Sequence, residues 1–260
     1  LVARQNEQGV AIADTGNLVF AVDTLTINLM GVTFRFGNTV IFRDLSRSFQ
    51  QGRIYTFVGS EQGGKSTLLR VLAGVLPPQE GSVIVPAHLR VLHLEKEVLF
   101  LQETLLQNII FDREASQLGG ADRIGRICSR LGFRPQVLRL LHGDEPLGNR
   151  AAWAQTFSST DFAKLNLARA LVMNPECLIM HRPFITFSDP QAKDLLELLR
   201  EHVDQRGLEL PEEGRPFRRL RTVFFSSSSM NRCAVSDYVF DVSPDNSLRE
   251  LPKPLSRARW

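Results

Sequence analysis

Long hydrophobic runs are missing from this chain. No stretch approaches the roughly 18 apolar residues that a membrane-crossing helix needs, so none of the sequence is expected to span a bilayer. Cysteine is scarce as well. Cys128, Cys177 and Cys233 lie far apart, with no C-x-x-C pair and no nearby histidine pair, which argues against a zinc site or a disulfide framework and leaves ordinary cytosolic thiols. Charge of a single sign does not dominate either. The 31 Lys and Arg stand against 28 Asp and Glu, a net charge of +3, so charge alone gives no reason to expect nucleic acid or a membrane surface as partner. The opening "LVARQNEQGV" has neither an apolar leader nor an initiator Met, and we read the chain as a soluble piece of something longer. There is no internal repeat.

What is present suits a globular protein. Over 260 residues, 43% are apolar, enough to bury a substantial core. Residues 1–28 show no clear period and are read as a lead-in, with the domain proper spanning 29–260. "GVTFRF" and "RIYTFV" are β-branched and aromatic runs bounded by glycine, as strands should be, and the second is apolar enough for a central strand. Leu68, Leu69 and Leu72 share one helix face, which Gly74 and Pro77 end. "SVIV" and "RVLHL" read as short strands.

From Ala115 to about Trp153 the pattern turns helical, with Ile124, Ile127, Cys128 and Leu131 on one stripe and Val137, Leu138 and Leu141 on another. This is a candidate inserted helical subdomain, placed at about 111–172. A further helix from about Asp161 carries Phe162, Leu165, Ala168 and Val172, with "FSST" as a capping cluster before it. Then come the strand "CLIM", a helix striped by Ala192, Leu195, Leu196, Leu199 and Val203, and the strands "TVFF" and "YVFDV". The segment "RGLELPEEGRPFRRLR" is expected to be a solvated insertion, and the tail "PKPLSRARW" to be exposed. Strands alternating with helices give an α/β fold with a mainly parallel core sheet, whose ligands bind at the carboxyl ends of the strands.

"GSEQGGKST" fits G-x-x-x-x-G-K-[ST] between an apolar strand and an apolar-faced helix, the setting of a P-loop. Gly59, Ser60, Glu61, Gln62, Gly63 and Gly64 form the loop. Its glycines let backbone N–H groups close around phosphate oxygens, Lys65 reaches the outer phosphates, Ser66 suits Mg²⁺, and Thr67 continues the helix. ATP is the natural guest.

"VIFRDLSRSFQQGRIYTFVGSEQGGKSTLLRVLAG" then resembles the opening of an ABC transporter nucleotide-binding domain. "FSSTDFAKLNLARALVMNPECLIMHRP" resembles that domain's signature helix and Walker B strand. The likeness extends from about Val32 to Val242. It implies a P-loop NTPase fold with an N-terminal antiparallel β subdomain and the helical subdomain already placed. It also implies two such domains sandwiching ATP, membrane-spanning partners in the same or another chain, and a place at the cytosolic face of a membrane. Phe36 falls where an aromatic residue stacks on adenine, with a core Phe as the alternative.

The other motifs depart from the family's pattern. Lys96 stands at the Q-loop glutamine. The signature reads Phe157, Ser158, Ser159, Thr160, Asp161, so only Ser158 matches, and Asp161 would bring negative charge toward the phosphate. His181 and Arg182 occupy the positions of the Walker B Asp and Glu, which organise Mg²⁺ and the attacking water. Ser228 aligns best with the switch histidine, and "FSDP" approximates the D-loop. Gln62 replaces a glycine, with Gly63 following it.

With these positions changed, ATP binding is expected, and hydrolysis is expected to be weak or absent, with Mg²⁺ in doubt. Of two readings of Arg182, a partial substitute for the metal's charge or a side chain pointing into solvent, the second is favoured. Two other functions stay open: a soluble ABC-family regulatory or structural protein, and a P-loop enzyme of another type using Arg182 as an electrophile.

Overall fold

A strand that is apolar at every position needs cover on both faces, and the central strands here are of that kind. The computed structural model describes residues 11–14, 17–95, 97–111, 113–141, 152–243 and 248–252. A short hairpin, β1 (Ala11–Asp14) and β2 (Asn17–Phe20), comes first, followed by β3 (Ile27–Phe36), β4 (Thr39–Phe49), β5 (Ile54–Val58), α1 (Lys65–Leu72), β6 (Glu80–Ile84) and β7 (Val91–Leu94). The helical stretch holds α2 (Leu105–Ile110), α3 (Ala121–Arg130), α4 (Pro135–Leu140) and α5 (Ser159–Met173). The chain then returns to the sheet through β8 (Cys177–Met180), α6 (Asp189–Asp204), β9 (Thr222–Ser226), β10 (Tyr238–Val242) and β11 (Leu248–Leu251).

The main sheet has the order β11-β10-β5-β9-β8-β7, parallel throughout except for the antiparallel β11 at its edge. A second, antiparallel sheet has the order β4-β3-β6. Strand alternation sends Leu178, Met180, Val223 and Phe225 to one face of the main sheet, where α5 and α6 cover them. Cys177, Ile179, Tyr55, Phe57, Phe224 and Phe240 go to the other face, under α1 and the antiparallel sheet. Tyr55 stacks on Phe224 there, ring centroids 4.9 Å apart. Among the described residues no helix is long and apolar enough to cross a membrane.

Several local readings change. The lead-in 1–28 contains the β1–β2 hairpin and the start of β3, and β4 pairs along β3 although its sequence shows no period of two. The reason lies in the pairing: three register shifts interrupt the β3–β4 ladder, and Asp44 sits in the left-handed region at φ 49°. A short helix, α2, precedes the stretch placed at about 111–172, and "LLQNII" is too short to show a helical period in the sequence. The segment 206–221 is not simply solvated. Leu208 is buried, and Arg206 donates to the carbonyls of Pro216 and Arg218 while Arg221 is buried against Asn174. The tail from Lys253 lies outside the described residues, as does Lys96.

Candidate nucleotide-binding site

The carboxyl ends of β5, β9 and β8 lie side by side and lead into the P-loop, the serine run and "HRP". Gly64, at φ 94°, turns the loop into α1, and a Cβ there would lie 2.8 Å from Ile41 Cγ2 and 2.9 Å from Phe42 Cζ. Gln62 itself adopts the left-handed conformation, φ 65°, so Gly63 does not take over the missing glycine's geometry. Gly63 is needed for another reason: a Cβ there would lie 2.9 Å from the carbonyl oxygen of Val242.

No side chain caps α1, so its first N–H groups, at Ser66 and Thr67, are left for a ligand at the helix's positive end. Lys65 is buried and curls back, its Nζ donating to Gly59 O at 2.7 Å and Ser60 O at 2.5 Å. Burial and then the nearby Arg182 push its ammonium below the usual lysine value, against Glu61 and Asp241. Ser60, Glu61 and Gln62 are exposed at the mouth.

Arg182 does not point into solvent. Its Nη2 donates to Glu61 Oε1 at 2.8 Å, which lays the guanidinium across the mouth of the P-loop and holds the Glu61 carboxyl below its usual value. Its backbone sits at φ 48°, and its amide donates to Ser226 Oγ at 3.0 Å. Because Met180 pairs with Phe225, the next residues, His181 and Ser226, come together, with Nδ1 and Oγ 2.9 Å apart. The serine in contact with the Walker B position is therefore Ser226, and Ser228 is exposed beyond the strand end. The polyserine run hid this in the sequence; the signal that finds it is the pairing register.

A cleft of about 350 Å³ opens beside His181 and Arg182, lined also by Glu95, Phe100, Phe162 and Ile185. Glu95 is held by a two-pronged pair from Arg70, at 2.9 and 3.1 Å. Phe36 is 54% exposed at the end of β3, its ring edge-on to Phe34, so the core alternative for it is set aside and the ring is available for stacking.

The signature-like segment folds as a helix start. Ser158 caps α5, its Oγ accepting from Asp161 N at 3.2 Å, while Asp161 Oδ2 accepts from Ser158 N at 3.0 Å. Arg134 reaches the same carboxylate oxygen at 3.2 Å. Asp161 is therefore buried, with its charge turned into its own helix and toward Arg134 rather than outward. Phe157 packs on Trp153 and Phe162, Thr160 donates to Thr186 O, and Ser158 and Ser159 are exposed. In the D-loop-like stretch, Arg232 donates to the carbonyls of Phe184 and Phe187 and pairs with Asp189, a brace the sequence did not suggest.

The sequence profile of the ABC transporter family matches residues 42–184, more than half of the chain. The chain belongs to the ABC transporter family. The aliphatic sulfonates import ATP-binding protein SsuB 2 of Frankia alni is 30% identical over 190 residues, covering 73% of this chain and 68% of that protein. The zinc import ATP-binding protein ZnuC of Yersinia pestis is 32% identical over 160 residues, covering 61% and 56%. SsuB 3 of Rhodococcus jostii is 29% identical, and this ABC chain spans 54% of its length.

Among solved structures, a dimeric ATP-binding cassette bound to ADP and Pi superposes with TM-score 0.67 at 15% identity, over 88% of this chain and 99% of that one. A bacterial Atm1-family ABC exporter with ATP bound gives TM-score 0.65 at 20% identity, over 92% and 41%. These likenesses establish the P-loop α/β fold of this ABC chain.

The donor set does not suit the Mg²⁺ that the family implies. Ser66 offers one hydroxyl, while the end of β8 presents an imidazole already engaged with Ser226 and a guanidinium, which repels a cation.

Proposed function

We propose that this chain is a nucleotide-binding domain of an ABC transporter that binds ATP at its P-loop, with Phe36 against the adenine, and hydrolyses it weakly or not at all. Its work is conformational. Binding favours closure on a second such domain, through the segment Phe157–Asp161, and closure is passed to membrane-spanning segments in the same or another chain at the cytosolic face of a membrane. The similarity to SsuB and ZnuC, import ATP-binding proteins, favours the transport setting.

The observation that carries the hydrolysis reading is the Arg182 guanidinium lying at the P-loop mouth, where an acid would have to act as base. Loss of a general base alone slows a reaction by about 10²–10⁴. The test is an ATPase assay of the chain, its Lys65→Ala variant and its His181→Asp/Arg182→Glu double variant. We expect wild-type turnover at the Lys65→Ala background and a rise in the double variant. Substantial wild-type turnover abolished by Lys65→Ala overturns the reading.

A further inference from the structure

The pair between Arg182 and Glu61 is unequal. The Arg182 side chain is 24% exposed and that of Glu61 81%. Arg182 is pinned from below, since its amide is tied to Ser226 Oγ and its backbone is already in the left-handed region. Glu61 sits on an exposed turn of the P-loop and has little beyond this one contact to hold it. An exposed ion pair is weak and readily exchanged, so the carboxylate can leave while the guanidinium stays.

Two cationic side chains, Lys65 and Arg182, thus converge where β5 and β8 end, with the imidazole of His181 beside them. Among the described residues, Glu61 is the carboxylate that pairs directly with one of them. This composition suits an anion with several phosphate oxygens. A guanidinium fork binds such oxygens by two parallel charge-assisted hydrogen bonds, a role that a divalent cation otherwise fills.

We infer that this site binds a nucleoside triphosphate without a divalent cation, Arg182 supplying the positive charge beside the P-loop and Glu61 serving as the counter-ion it exchanges for phosphate. The inference rests on the nucleotide-binding reading above. Arg182 is then a positioning and charge-neutralising residue for the triphosphate, and Glu61 sets how readily the site opens to it. Metal-free nucleotide needs no cation here, because Lys65 and Arg182 already place positive charge beside the phosphates.

The experiment is calorimetric titration of the full chain with ATP in excess Mg²⁺ and in excess EDTA, repeated on Arg182→Ala and Glu61→Gln. Wild-type affinities under the two conditions should agree within about threefold. Arg182→Ala should lose about tenfold or more in EDTA and less in Mg²⁺. Glu61→Gln, an exposed change that leaves the fold alone, should tighten binding in EDTA.

A wild-type protein that binds in Mg²⁺ but loses more than about tenfold in EDTA overturns the inference and leaves the nucleotide reading standing. So does Glu61→Gln binding no tighter than wild type, or a folded Arg182→Ala binding as wild type does in EDTA. Absence of binding under both conditions overturns the nucleotide reading itself, and the inference with it.

Discussion

Ser226 Oγ lies 2.9 Å from His181 Nδ1 and accepts the amide hydrogen of Arg182 at 3.0 Å, so one hydroxyl joins the ends of β8 and β9. Both contacts are satisfied when the hydroxyl donates to Nδ1 of a neutral imidazole protonated at Nε2. Burial first, then Arg182 and Lys65, hold His181 below its ordinary value; Glu95 opposes and Arg70 adds to the lowering. The folded pKa is thus below the unfolded value of about 6.5. The stability this contributes is present above that value and lost as pH falls through the folded one.

An NMR titration should therefore find His181 titrating below the ordinary histidine value of about 6.5, with its pKa rising in Arg182→Ala. An imidazole that titrates at or above about 6.5 in both proteins contradicts the positive field described at the P-loop mouth.

Arg123 is a buried cation satisfied by carbonyls, with no carboxylate hydrogen-bonded to it among the described residues. It donates to Leu118 O, Leu171 O, Val172 O and Leu208 O, tying the end of α5 to the helical stretch and to the 206–221 segment. Burial lowers its pKa to about 10, and it stays charged at neutral pH. Arg123→Leu strands those carbonyls and should cost about 3–5 kcal/mol in urea unfolding. Arg123→Lys should recover little, because one ammonium cannot span the same carbonyls as the guanidinium fork. A loss below about 1 kcal/mol for Arg123→Leu would mean that water replaces the guanidinium at little cost.

Glu176, just before β8, is buried between Arg90 and Arg221. Burial pushes its carboxyl up, but the two-pronged Arg90 contact at 2.8 and 3.0 Å, together with Arg221, leaves it below the usual value. A depressed carboxylate stabilises above its unfolded pKa of about 4.3, and the effect is lost as pH falls through the folded value. Glu176→Gln should thus be less stable than wild type by about 1–3 kcal/mol at neutral pH, with the gap closing below about pH 4. Equal gaps at both pH values in denaturation curves would show that the charge of Glu176 contributes nothing.

The P-loop was legible because its chemistry is local: glycines at set positions, a lysine at the helix start, an apolar strand before and an apolar helix face after. The parallel core strands were legible for the same reason, since "IYTFV", "CLIM" and "TVFFS" are buried at every position. β4 was not, because register shifts break the alternation that marks a strand. Asp161 was half legible. Its place near a capping cluster was readable, but Arg134, 27 residues upstream, was not.

The sequence by itself determined the family, the α/β class and the identity of the residues that replace the usual carboxylates, since each of these is written in short-range pattern. Only the tertiary structure decided what those replacements touch. Arg182 meets Glu61 across 121 residues, and His181 meets Ser226 across 45. Both contacts follow from the order and register in which β5, β9 and β8 assemble. That assembly is driven by burying both faces of the sheet, a requirement of the whole fold that no single segment carries.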